Sequence, residues 1–295
     1  MHDSHIHLAM EPLKSNILDV VQTFIQEGGK HILTQGTDIV DFDDNFDLAK
    51  FANKIFPDTV QVAIGIHPSY FEEITLALGE RDNIFEKSQK QIQKFEEFFE
   101  KRKSKISAIG ECGLDYFQFS LNNTYSEEDK EQLKEIQKIM FRKEIQLAIE
   151  NSLPISVHSR NMIGSEECIN DTIRIIAEEG KGLLKGSFHS YTGNLDQLNQ
   201  IIDLGFHIGF NGIITYKSGE SVREILKSTP VDRILFETDG PFLPPQSVRK
   251  NKKIKEKFAQ PKDIREIMQV VCDVKDVEML KLEKITDESY DSLFI

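Results

Sequence analysis

Tryptophan is absent from the 295 residues, and cysteine is confined to Cys112, Cys168 and Cys272. Three widely spaced thiols without a Cys-x-x-Cys pair argue against a disulfide framework and a zinc–cysteine site, and are read as buried free cysteines. No apolar run approaches the roughly 18 residues of a membrane-spanning helix. The opening Met1-His2-Asp3-Ser4-His5 lacks the basic-then-apolar order of a secretory leader. A cytoplasmic or nuclear protein with no membrane partner is therefore expected. Positive charge is also in deficit: 36 Lys and Arg against 49 Asp and Glu leave a formal net charge of −13, whereas a nucleic-acid binder usually carries a basic footprint. No Pro-, Gly- or Ser-rich linker, repeat or low-complexity tract interrupts the chain, so residues 1–295 are expected to form one domain. Nothing in the sequence speaks to the oligomeric state.

What is present is the composition of a globular protein, 39% hydrophobic and 29% charged with 20 Phe. Short apolar runs alternate with helical segments, the pattern of a parallel sheet built from βα units. Strands are expected near Asp3–Leu8, His31–Gln35, Gln61–Ile66, Ile106–Glu111, Pro154–His158, Leu183–His189, His207–Phe210 and Arg233–Glu237. Between them, Leu133, Ile136, Met140 and Leu147 recur at helical spacing, as do Ile92, Phe95, Phe98 and Phe99. Eight strands at roughly 30 residues per unit match a single (β/α)8 TIM barrel, although an open doubly wound sheet shares the alternation.

The placement of metal-competent side chains favours the barrel. His5 with His7, Glu111, His158, His189 and Asp239 each close an expected strand, and the separations of 104, 47, 31 and 50 residues from His7 onward assign them to strands one, four, five, six and eight. In a closed barrel these ends converge on one mouth, whereas an open sheet spreads them along an edge. His5-x-His7 is a period-two pair, so both imidazoles leave the strand on one face and can hold one ion. Four His and two carboxylates form a mixed nitrogen and oxygen set that suits Zn, Mn, Fe or, less well, Mg.

The stretches Asp3-Ser4-His5-Ile6-His7-Leu8, Gly65-Ile66-His67-Pro68, Ala108-Ile109-Gly110-Glu111-Cys112-Gly113-Leu114-Asp115-Tyr116, Pro154-Ile155-Ser156-Val157-His158-Ser159-Arg160, Phe188-His189-Ser190-Tyr191-Thr192-Gly193 and Glu237-Thr238-Asp239-Gly240-Pro241 occur in that order. On these motifs the chain resembles the TatD-like metal-dependent deoxyribonucleases of the amidohydrolase superfamily over nearly its whole length. The resemblance implies two divalent ions, Mg²⁺ as the working metal with Zn²⁺ or Mn²⁺ as alternatives. It places His5, His7, Glu111 and Asp239 on one ion and Glu111, His158 and His189 on the other, with Glu111 bridging. It further implies two-metal activation of water and 3′→5′ exonuclease action on DNA, as single strands or at 3′ ends. Glu111 and Asp239 are the expected catalytic residues, Asp239 serving as ion ligand alone or also as the base that takes a proton from water.

Around this set, His67 is read either as a phosphate contact or as a structural histidine closing its turn. Arg160 is read as a bidentate phosphate grip or a loop ion pair. Asp115 and Tyr116 follow Glu111 beyond the barrel end, where they would shape a substrate cleft or offer a base-stacking surface. The run Arg249, Lys250, Lys252, Lys253, Lys255 and Lys257 brings six positive charges against Glu256 into the loop after strand eight. There Lys252 and Lys253 would grip the DNA backbone, a solvated loop or helix face and a nuclear-localisation signal being the other readings, and reversing the charge of the run is expected to flatten the salt dependence of binding. Two other readings stay open: a small-molecule hydrolase acting on an amide, lactone or phosphoester, and a non-catalytic nucleic-acid-binding protein.

Overall fold

A computed structural model of the chain describes residues 1–71, 84–121 and 125–295. Eight strands, β1 (Asp3–Ile6), β2 (Ile32–Gly36), β3 (Val60–Ile64), β4 (Ala108–Asp115), β5 (Ile155–Arg160), β6 (Gly186–Phe188), β7 (His207–Phe210) and β8 (Ile234–Phe236), pair in parallel in that order. With helices between them they form a nearly closed (β/α)8 barrel. The expected stripes lie on the helices Ile84–Arg102 and Glu127–Glu150, where Ile92, Phe95, Phe99, Leu133, Ile136, Met140 and Leu147 are buried. Ser126 starts the longer helix with a reciprocal capping box to Asp129.

Both faces of the strands are covered, which is why they read as near-continuous apolar runs. Ile32, Val62, Ile109 and Ile234 join the large core shared with the helices. Their neighbours Leu33, Ala63, Ala108 and Leu235 form a second cluster with Tyr290 and Phe294 of the helix Met279–Phe294, which plugs the N-terminal end of the barrel. At the seam between β8 and β1, the His7 backbone N–H donates to Gly240 O at 2.8 Å and the Asp239 N–H to His5 O at 2.9 Å. The buried Asp3 carboxylate fastens the same seam by accepting from the Thr238 N–H at 3.0 Å and its hydroxyl at 2.7 Å.

One strand differs from expectation in a way that matters. β4 runs to Asp115 instead of ending at Glu111, so Glu111 sits mid-strand. Gly113 permits this: its φ is +135°, and a Cβ there would lie 2.1 Å from His158 O of the paired strand.

Candidate metal centre

The Glu111 carboxylate is the hub of the mouth, and its two oxygens face different histidines. Oε2 lies 3.4 Å from His5 Nε2 and 3.5 Å from His7 Nε2. Oε1 lies 2.8 Å from His158 Nδ1, 3.2 Å from His189 Nε2 and 3.5 Å from His67 Nε2. Asp239 Oδ1 stands on the Oε2 side, 3.4 Å from His7 Nε2 and 3.9 Å from His5 Nε2. Strand ends position these groups: His7 follows β1, His189 follows β6, and Asp239 leaves β8 in a left-handed conformation with φ of 56°.

Groups behind the histidines aim them. Ser156 Oγ is 2.9 Å from His5 Nδ1. Glu237 Oε1 accepts from the Ser190 N–H at 2.7 Å and from Asn211 Nδ2 at 3.2 Å, and lies 3.4 Å from His189 Nδ1. Such carboxylate–histidine pairs set the orientation and tautomer of a metal ligand. Glycine makes room for this one, since a Cβ at Gly209 would fall 2.0 Å from Glu237 Oε2. His67 is held by its own turn: the Ser69 N–H donates to Nδ1 at 3.2 Å, which leaves the ring proton on Nε2. Glu144, reaching in from the helix Glu127–Glu150, accepts the Ile66 N–H at 2.7 Å and fixes that turn from behind.

Charge at the centre follows from these contacts. Burial favours a neutral Glu111, but His67, His5 and His189 around it and the His158 hydrogen bond hold its carboxyl well below the usual range. Asp239 and Asp115 are likewise lowered against burial, the first by His7 and the second by His158. Burial also opposes protonation of His158, yet its bonds to Asp115 and Glu111 push it up to about 9. His189 is raised well above its ordinary value by Glu237 and Glu111, and His7 is raised by Asp239 and Glu111, in both cases against burial. His5 moves the other way, lowered by burial and by His189 stacked on it at 3.7 Å.

The donor set fits divalent ions. Imidazole protons are the positive charge facing these carboxylates, a role a cation fills better at low dielectric. The His5 Nε2 atom is buried without a hydrogen-bond partner while pointing at Glu111 and Asp239. Donors bonded at about 2.1 Å to a shared ion stand roughly 3–3.5 Å apart, the spacing seen between Glu111 Oε2 and both β1 histidines. Among the described residues, His5, His7 and Glu111 form one potential ion-holding group, and His67, Glu111 and His158 another.

The remaining expected site residues divide. His67, Asp115 and Arg160 line a cleft of about 720 Å³ above the cluster. Asp115 is closer to the chemistry than its place beyond the expected strand end implied, because the longer β4 sets its Oδ2 2.9 Å from His158 Nε2. Arg160 lies with its guanidinium 3.6 Å from the centre of the Phe117 ring. Tyr116 corrects the sequence reading: it is fully buried, its hydroxyl bonds Asp171 at 3.0 Å, and it offers no surface to the cleft. Lys252 and Lys253 are exposed in the loop after the helix Gln246–Lys250 and do not line the cleft.

The sequence profile of the family described as TatD related DNase matches residues 2–295. An uncharacterized metal-dependent hydrolase of Buchnera aphidicola subsp. Acyrthosiphon pisum is 33% identical over 99% of this chain and 98% of its own. The protein named deoxyribonuclease Tat-D of Schizosaccharomyces pombe is 32% identical over 47% of this chain and 39% of its own. A solved TatD-family hydrolase from Entamoeba histolytica shares the fold, with a TM-score of 0.78 at 19% identity over 100% of this chain and 98% of that one. Among the described residues no helix is long and apolar enough to cross a membrane.

Proposed function

The chain belongs to the TatD-related DNase family of metal-dependent hydrolases, and from that premise we propose that it hydrolyses DNA phosphodiester bonds with two divalent ions, as a 3′→5′ exonuclease within one barrel domain. The observation that carries the proposal is the divided Glu111 carboxylate, with Oε2 turned to His5 and His7 and Oε1 to His158 and His189. His5, His7, Asp239 and Oε2 would hold one ion, and His158, His189 and Oε1 the second. Bound there, a pair of divalent ions supplies a nucleophile at neutral pH and charge stabilisation for an in-line displacement at phosphorus.

The protein's own groups do the rest. Asp239, kept ionised by His7 beside it, takes the proton released by the attacking water. His67, whose Nδ1 accepts from the Ser69 N–H, turns Nε2 toward Glu111 Oε1 at 3.5 Å and from there would donate to a phosphate oxygen. Arg160 offers its fork to the same phosphate, and Lys252 and Lys253 hold the backbone farther out.

Labelled single-stranded and 3′-recessed DNA, incubated with Mg²⁺, Mn²⁺ or Zn²⁺, tests the proposal. A ladder shortening from the 3′ end, abolished by EDTA and by Glu111→Ala, is the expected result. Intact DNA with every metal, or Glu111→Ala cutting as fast as the unaltered protein, overturns it.

A further inference from the structure

We propose that Phe242 is a nucleobase platform: an unstacked base of single-stranded DNA lies on its ring while the adjoining phosphodiester enters the histidine–carboxylate cluster. The inference rests on the nuclease reading and names the base contact that Tyr116, being buried, cannot make.

Phe242 lines the cleft yet is 50% exposed, and its ring stands edge-on to His7 with centroids 5.8 Å apart. One exposed Phe is ordinary on a protein surface; this one lies in the cleft with Met10, Ile213 and Leu243 and against His7, which makes it part of a concave lining open to a ligand. Its backbone is braced on both sides, which fixes the point from which the ring leaves the chain. The Phe242 N–H donates to Asp239 O at 2.9 Å and Pro241 O accepts from the Ala259 N–H at 3.0 Å. Beyond it, Pro244 O accepts from the Tyr216 hydroxyl at 2.9 Å. Leu243 is held in the left-handed region with φ of 51°, a costly conformation for a branched residue that persists where the surroundings dictate it. The segment carrying the ring is also the segment carrying Asp239, so a base on Phe242 is registered against the ion-side carboxylate.

The cleft has the two-part character that a nucleotide requires. Its floor is the His and carboxylate cluster, and the rest of its lining sets apolar Met10, Tyr70, Ile213 and Leu243 among polar groups such as Thr37 and Thr192. Phosphate needs the floor, whereas the apolar side chains of the lining serve a flat, uncharged group. Stacking on an aromatic ring is sequence-tolerant because every base has a π-face, and it requires a base freed from its duplex. The platform therefore predicts a preference for single-stranded over paired ends.

The test compares the unaltered protein with Phe242→Ala, Phe242→Leu and Phe242→Trp on a single-stranded oligonucleotide, and on strands carrying one abasic residue at each of the three 3′-terminal positions. Phe242→Ala and Phe242→Leu should raise KM about 5- to 150-fold on the intact strand, and Phe242→Trp should retain most of the affinity. At one abasic position the unaltered protein should lose the same factor, with no further loss in Phe242→Ala. If the unaltered protein cuts DNA and Phe242→Ala matches it in KM, or loses equally on every abasic strand, the platform is refuted while the nuclease reading stands. If the unaltered protein cuts no DNA, both fall.

Discussion

Histidines and carboxylates cluster at both ends of this barrel, and the two clusters behave oppositely. At the mouth, Glu111 faces five imidazoles, and among the described residues no Lys or Arg pairs with Glu111, Asp115 or Asp239. At the N-terminal end, His2, His31 and Asp291 also come within ion-holding distance of one another. There, however, Lys30 Nζ sits 2.7 Å from Asp287, the His2 and His31 Nδ1 atoms meet at 3.2 Å, and His2 stacks on Tyr290 with centroids 4.1 Å apart. Burial pushes His2 down to about 3, whereas His158 at the mouth is pushed up to about 9. Residue type and proximity are thus insufficient to define a metal centre. A cluster whose buried carboxylate is already paired with a lysine and with the Met1 ammonium has little to offer a cation. One whose carboxylates are met only by titratable imidazoles, above an open cleft, has a great deal.

The sharpest way to break this contrast is to count ions. Glu111→Gln removes the shared carboxylate and should abolish both binding sites, cutting hydrolysis by roughly 10³-fold. His2→Phe with His31→Phe should leave metal content and rate unchanged. Elemental analysis of dialysed protein decides it: ions retained by Glu111→Gln, or lost from the double variant, would assign the metal to the wrong end. A smaller effect is expected one layer out. Glu237→Ala frees His189 Nδ1 and strips the Ser190 N–H and Asn211 of their acceptor, so metal affinity measured by chelator competition should fall about 10- to 100-fold. Gly209→Ala, which drives a methyl into the same carboxylate, should reproduce that loss without touching any proposed ligand.

These two layers were not equally legible in the sequence. The proposed ligands were, because His5-x-His7 and the strand-end spacing place metal-competent donors where a barrel converges. The supporting groups left a fainter signal that follows the same alternation: Asp3, Ser156 and Glu237 each precede a mouth residue by two positions, so polar residues at period two inside otherwise apolar strands mark the inward face. Asp115 stands four residues after Glu111 and obeys the same rule once β4 is known to continue through Gly113. Tyr116 misled because an aromatic beside a motif looks available. Its burial depends on Asp171 and on Lys134, whose Nζ lies 5.2 Å over its ring, and both residues belong to distant helices. Glu144 left no signal, since a glutamate on an amphipathic helix reads as solvated until the turn it caps is in place. Short-range periodicity reports the inward face of a strand; contacts made across elements exist only in three dimensions.

Acidity separates the clusters further. His158 titrates near 9 in the ion-free fold, above its unfolded value of 6.5. Its proton therefore stabilises the fold fully below pH 6.5 and ceases to do so as pH rises through about 9. A bound ion displaces that proton, so apparent affinity should climb with pH up to about 9, with proton release visible by calorimetry in buffers of different ionisation enthalpy. His2 has the reverse sign: held near 3, it costs stability as pH falls from 6.5 toward 3. In EDTA, His2→Phe keeps the stack on Tyr290 and should gain about 1–2 kcal/mol at pH 5 relative to the unaltered protein. Equal thermal unfolding of the two at pH 5 would mean that His2 is not held neutral.

The smallest effect belongs to Lys30, which shares Asp287 with the Met1 ammonium. Lys30 is 54% exposed and its partner Asp287 is 10% exposed, so water and salt screen much of their attraction, and Lys30→Met should cost about 1 kcal/mol or less. The informative readout is ion content. With Lys30 gone, Asp287 is freer to attract a divalent ion, but the apposed Nδ1 atoms of His2 and His31 and the ring stack on Tyr290 persist. An ion would have to break that pairing and unstack His2 before either ring could serve as a ligand. Lys30→Met should therefore bind no ion beyond those of the unaltered protein, and its small stability loss should shrink in 0.5–1 M salt, where the Debye length falls to a few ångströms. An additional ion held by Lys30→Met would instead show that neither the Met1 ammonium on Asp287 nor the imidazole pairing at the N-terminal end resists a cation once the lysine is gone.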